Sequence, residues 1–77
     1  MKLTEAISKR VQNLLSERNV KQYYLFKNGG MPRSTISNVI NCQKKRVSTE
    51  TIYQICTTLG ITLGEFFSDP IFNELDD

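Results

Sequence analysis

The chain has 77 residues, of which 39% are hydrophobic, and its ten basic and eight acidic residues give a net charge of +2. This length allows one small domain, and no apolar run is long enough for a membrane span or a signal peptide, so we expect a cytoplasmic protein without membrane contact. Two cysteines and no histidine exclude a four-ligand zinc site, and we expect both thiols to be reduced and no cofactor or small-molecule ligand to be bound.

The charges are unevenly distributed along the chain. Residues 18–46 contain seven basic residues and no acid, whereas residues 47–77 contain six acids and no base. A basic middle segment favours a polyanionic partner, most often nucleic acid, although an unevenly charged surface would give the same pattern.

Hydrophobic spacing and capping residues predict five short helices. The first covers residues 3–18, with Thr4 as a possible N-cap and Asn19 at its end. The second covers 21–28 and ends at Gly29 and Gly30, and the third runs from 32 or 33 to 40, with Pro32 at its start.

The remaining two helices lie in the C-terminal half of the chain. The fourth begins after Ser48 or Thr49 and ends at Gly60. Thr62 and Glu65 form a capping box that opens the fifth helix. Because no segment alternates like a strand, we predict an all-α bundle of five short helices. We place its domain at residues 1–68 and an acidic tail at 69–77.

The third helix has a continuous polar face without an acid. Two short helices joined by a glycine turn form the plan of a helix-turn-helix, in which the second helix enters the major groove. Arg33 suits guanine, Asn38 suits adenine, and Ser34 suits either base. A solvated helix face is the alternative interpretation.

Residues 7–67 resemble the Cro-and-phage-repressor helix-turn-helix family, often called XRE-type. The resemblance rests on Gln22, Leu25, Gly30 and Met31, on "RSTIS" at 33–37, and on "TLGITLGEFF" at 58–67. It implies a lambda-repressor-like fold and a DNA-binding transcriptional regulator, and we expect a repressor that binds double-stranded DNA as a homodimer.

The resemblance also implies roles for individual residues. Arg33, Ser34 and Asn38 would read bases. The DNA backbone or the groove edge would be contacted by Gln22, Tyr23, Thr35, Ser37, Asn41, Lys44, Lys45 and Arg46, although the last three could belong to a solvated loop. From their apolar character we expect the dimer surface to include Phe66, Phe67, Ile71 and Phe72.

Two departures from the family pattern lead to structural predictions. Phe26 stands where the family usually has alanine, and we expect its ring to occupy space left open by Gly29. Leu15 and Ile40 stand where the family often has an arginine and a glutamate that form an ion pair. We expect these two side chains to touch, and Leu15→Arg alone to cost about 3–5 kcal/mol.

An enzyme is the class that the sequence favours least. Histidine, the commonest general base, is absent, and no serine or cysteine has an evident catalytic partner. The alternative to a DNA-binding regulator is a small protein-interaction module, or an antitoxin-like partner protein, that uses the helix-turn-helix as a scaffold. Such a module would depend on Phe72 more than on Arg33.

Overall fold

A computed structural model describes residues 1–43 and 46–76 of the chain. Within these ranges the protein is all-helical and contains no strand. The α-helices are α1 (Leu3–Glu17), α2 (Gln22–Gly29), α3 (Arg33–Ile40), α4 (Thr49–Leu59) and α5 (Leu63–Phe67), followed by a 3₁₀ helix (Pro70–Asn73). None of the described helices has the length and apolar character that crossing a membrane requires.

Local capping chemistry explains most helix boundaries. The Ser48 hydroxyl accepts the Thr51 N–H at the start of α4, and Thr62 and Glu65 form the expected capping box of α5. Helix α1 begins at Leu3, as predicted, but Thr4 is not its N-cap: Lys2 occupies that position, and its N–H donates to Glu5 Oε1 at 2.9 Å. Thr4 therefore lies inside the first turn.

Four helices end in the same way, with a left-handed residue just beyond the last turn. Asn19 (φ 55°) follows α1, Gly30 (φ 69°) follows α2, Cys42 (φ 54°) follows α3 and Gly60 (φ 74°) follows α4. After α3, the Gln43 N–H reaches back to the Asn38 carbonyl at 3.1 Å. This hydrogen bond satisfies one of the carbonyl groups that a helix end leaves without a partner. Cys42 adopts the conformation that glycine normally supplies.

The core is a single cluster to which all five α-helices contribute. Its most deeply buried large side chains include Val11, Leu25, Met31, Ile55 and Phe66. Helix α1 packs on α3 and on the 3₁₀ helix, α2 packs on α3 and α4, and α4 packs on α5. This arrangement fixes α3 against two other helices and leaves its outer side at the surface.

Candidate nucleic-acid interface

The turn between α2 and α3 is built by one glycine, one buried methionine and one proline. Gly30 closes α2 with φ 69°, a conformation that L-residues rarely adopt. Met31 is buried in the core, and Pro32 leads into α3 with φ −59° and ψ 147°. The buried Met31 side chain anchors the turn in the core, and the proline ring restricts φ at the next residue, so together they fix the direction in which α3 leaves the turn.

Helix α3 has one buried face and one accessible face. Ile36, Val39 and Ile40 belong to the core. On the other side, Arg33 and Ser34 are exposed and Asn38 is half-buried, so the three predicted base-reading residues are accessible to different degrees. Thr35 and Ser37 are half-buried and Asn41 is exposed. The Asn41 amide donates to Ser37 Oγ at 3.0 Å, which ties two predicted groove-edge residues together.

An open groove separates the start of α2 from the first turn of α3. Gln22, Tyr23, Phe26, Arg33, Ile36 and Ser37 line it. The Arg33 guanidinium carbon lies 4.7 Å from the centroid of the Phe26 ring. A guanidinium over an aromatic face is attracted by the ring quadrupole, and its N–H groups stay free to donate in the plane. The structure therefore brings Gln22 and Tyr23 beside Arg33, although they lie ten or more residues away in sequence.

A second groove lies on the other side of α3. It is lined by Thr35, Asn38, Val39, Arg46, Val47, Ser48 and Thr51. The exposed Arg46, three residues before α4, is thus brought next to the accessible face of α3. Lys44 and Lys45, which were predicted to contact the DNA backbone, lie outside the described residues.

A comparison with protein families decides what this arrangement is. The model of the Cro/C1-type HTH DNA-binding domain matches residues 10–70. The chain belongs to this family. No curated protein and no solved structure matches the chain. As a Cro/C1-type HTH domain it is a DNA-binding domain, and α2, the turn and α3 form its helix-turn-helix.

In this Cro/C1-type domain, two side chains of α1 hold the end of α3 by hydrogen bonds to a backbone carbonyl. The buried Ser8 hydroxyl donates to the Ile40 carbonyl at 2.6 Å, and the Gln12 amide donates to the same carbonyl at 3.3 Å and to Ser8 Oγ at 3.0 Å. Sequence reasoning missed both residues. The available indication was the position of Ser8, which lies on the apolar stripe of α1, three residues before Val11 and seven before Leu15.

Leu15 and Ile40 replace the expected ion pair with apolar side chains. Both are buried in the core, at 5% and 8% exposure, and both border one groove between α1, α2 and the end of α3. Their direct contact remains a prediction. Their shared position means that a charge placed on either side chain alone would lie at the edge of the apolar core.

The predicted exchange of volume between Phe26 and Gly29 is wrong. A Cβ atom added to Gly29 would lie 2.5 Å from Thr58 Oγ1 and 3.1 Å from Met31 Cε, so the space at this glycine is taken by α4 and the turn. Phe26 is instead 37% exposed and lies beside Tyr23, with their ring centroids 5.9 Å apart. The glycine permits close packing of α2 on α4, and the ring belongs to the surface groove.

One of the four dimer candidates is also wrong. Phe66 is completely buried and offers no surface to a partner. Phe67 is 42% exposed, and Ile71 and Phe72 are half-buried. The Phe67 and Phe72 ring centroids are 5.0 Å apart, so these two aromatic side chains form one patch beside the core.

Arg10 explains how this end of the domain is held together. Its guanidinium donates to the carbonyl oxygens of Phe66 and Glu65, both at 2.9 Å, and forms an ion pair with Asp69 at 3.2 Å. Sequence reasoning missed this role because a basic residue on an amphipathic helix resembles an ordinary surface residue. The contacts fasten α1 to the end of α5 and to the start of the acidic tail.

Proposed function

We propose that the protein binds double-stranded DNA with α3 in the major groove and represses transcription from the sites that it occupies. The observation that carries this proposal is the accessible face of α3, where Arg33 and Ser34 are exposed and Asn38 is half-buried, within a segment that contains no acid between residues 18 and 46. Carboxylates on this face would repel the phosphates of DNA. A domain seated in the major groove excludes other proteins from the same base pairs, and this exclusion would repress transcription. We also infer that the protein acts in the cytoplasm.

Within this proposal the side chains have separate roles. Arg33, Ser34 and Asn38 read base edges, because arginine pairs with guanine and asparagine with adenine. The backbone and groove edge are contacted by Gln22, Tyr23, Thr35, Ser37, Asn41, Lys44, Lys45 and Arg46. The two grooves beside α3 support this division, since they bring Gln22 and Arg46 to opposite sides of the helix.

We further propose that the protein binds as a homodimer through its acidic end. A single domain of this size reaches only a few base pairs, and a second copy doubles the contacts. Phe67, Ile71 and Phe72 supply the apolar area, and the tail at residues 69–77 extends this surface from the domain at 1–68. Because Arg10 holds Asp69, the start of the tail keeps a fixed position on the domain.

A fluorescence-anisotropy titration tests the DNA-binding proposal. The probes are the duplex upstream of the coding region and a scrambled duplex of the same length, each at three salt concentrations. We expect tighter binding to the upstream duplex and an affinity that falls steeply with salt, because phosphate contacts release counterions. Equal and weak binding to both duplexes would contradict specific recognition of the upstream duplex, and no binding at low salt would contradict DNA binding by the isolated protein.

Two arginine variants separate base reading from backbone contact. Arg33→Ala should cost about 1–3 kcal/mol on the specific duplex and little on the scrambled one. Arg46→Ala should weaken both by a similar factor and reduce the salt slope by about one. If the protein is instead an interaction module, Phe67→Ala should reduce partner binding while Arg33→Ala has no effect. Phe67 suits this test because much of its ring is exposed.

A further inference from the structure

The groove between α2 and α3 has an unusual composition for the edge of a DNA-binding surface. Its walls include the half-exposed rings of Tyr23 and Phe26 and the side of Ile36, and the Arg33 guanidinium stands on its rim. Alanine, the residue that the resemblance leads us to expect at position 26, would leave the groove with the ring of Tyr23 but without the ring on which Arg33 lies. The ring does not complete the core, because the space at Gly29 is filled by Thr58 and Met31.

The contact between Phe26 and Arg33 restricts how the arginine can approach a base. The guanidinium carbon lies over the ring, 4.7 Å from its centroid, so the ring blocks the guanidinium from one side. Its edge remains free for two parallel hydrogen bonds to guanine O6 and N7. A guanine paired with Arg33 therefore brings the neighbouring base pair next to the aromatic wall of the groove.

We propose that this groove binds the C5-methyl group of a thymine next to the guanine that Arg33 reads. This inference rests on the proposed function. The thymine methyl is the apolar group that a base pair presents in the major groove, and it needs an apolar contact. The polar side of the groove, at Gln22, is left to the DNA backbone, whereas a phosphate seated among Phe26 and Ile36 would lose hydration against apolar side chains. The positive charge of Arg33 on the rim complements the negative duplex.

Phe26 is therefore a specificity-determining residue, and it acts in two ways. Its ring supplies the apolar contact for the methyl group, and its face orients the guanidinium that reads the adjacent guanine. Preference for a thymine–guanine step follows from both contacts together, since the same ring lines the groove and lies against the guanidinium.

The test compares thymine with uracil, which differs only by this methyl group. A site is first selected from duplexes of random sequence with the wild-type protein. Each thymine of the selected duplex is then replaced singly by uracil, and affinities are measured by anisotropy. Burial of one methyl group predicts about fourfold weaker binding at one thymine per half-site, adjacent to a guanine. Equal affinity for thymine and uracil at every position would overturn the proposal. This comparison changes only the DNA, so it does not depend on a protein variant that could misfold.

Variants then assign the effect to the groove. Phe26→Ala should bind the thymine and uracil duplexes equally, whereas Tyr53→Ala, which removes an exposed aromatic ring on α4, should keep the difference. Persistence of the difference in Phe26→Ala would overturn the assignment to this ring. Failure of the wild-type protein to select any site would refute the proposed function itself, and a selected site without a methyl effect would refute only this inference.

Discussion

Replacing Leu15 by arginine should destabilise the protein because the new charge would lie at the edge of the apolar core. Leu15 and Ile40 are 5% and 8% exposed. A buried charge without a partner costs about 3–5 kcal/mol. Because the groove beside both residues lets a long side chain reach toward water, we expect a loss near the lower end of this range. A loss of about 3 kcal/mol corresponds to a fall in Tm of about 12–24 °C for a domain of this size.

A second substitution, Ile40→Glu, tests whether the side chains at positions 15 and 40 face each other. Each single variant should be strongly destabilised, and the double variant Leu15→Arg/Ile40→Glu should recover at least about 2 kcal/mol of the summed loss, because the two charges would pair. The Ser8 and Gln12 hydrogen bonds to the Ile40 backbone do not depend on the side chain. Recovery is therefore attributable to the new pair.

Urea unfolding, followed by circular dichroism at one protein concentration, gives the free energies of unfolding of the wild type, the two single variants and the double variant. Leu14→Arg combined with Ile40→Glu is the matched control. Leu14 is as buried as Leu15 but does not border the groove, so its loss should be additive with that of Ile40→Glu. Additive losses in the Leu15 pair as well would refute the inference that these two side chains face each other.

Three further predictions concern stability and thiol chemistry. Arg10→Met should lower the free energy of unfolding by about 2–4 kcal/mol, measured in urea, because it removes hydrogen bonds from a charged, largely buried group; a change below 1 kcal/mol would contradict this. Cys42→Gly should stabilise the protein by up to about 1 kcal/mol by relieving the left-handed strain, whereas Cys42→Ala should not. A thiol reagent should label exposed Cys42 quickly and Cys56 only after unfolding, because burial protects Cys56 and raises the pKa of its thiol; two fast-reacting thiols would refute this.

Local chemistry explains why the helices could be predicted from the sequence. Gly30, Ser48, Gly60 and the Thr62–Glu65 pair act on their own neighbours, so their effects can be read from a few adjacent letters. The N-cap of α1 was assigned to Thr4 instead of Lys2, because the cap uses the side chain of Glu5 and a lysine backbone, a combination that capping preferences do not favour.

Side-chain orientation and long-range contacts could not be predicted in the same way. The capping box fixes where α5 begins, but three apolar positions in five residues leave its rotation open, and so Phe66 was assigned to the surface although it is buried. Ser8 donates to a carbonyl 32 residues away and Arg10 to carbonyls 55 and 56 residues away. Such contacts depend on the tertiary arrangement and leave little trace in the sequence.

The hydrogen bonds from Ser8 and Gln12 to the Ile40 carbonyl have a consequence for how this protein can change its target. They hold α3 by a main-chain oxygen that every amino acid carries, so these hydrogen bonds do not depend on the side chains of the helix. Residues on the outer face, such as Ser34 and Asn38, can be exchanged without releasing the helix from the body. The domain is therefore a suitable host for grafted or randomised recognition sequences, in which new DNA preferences can be selected while the scaffold stays the same.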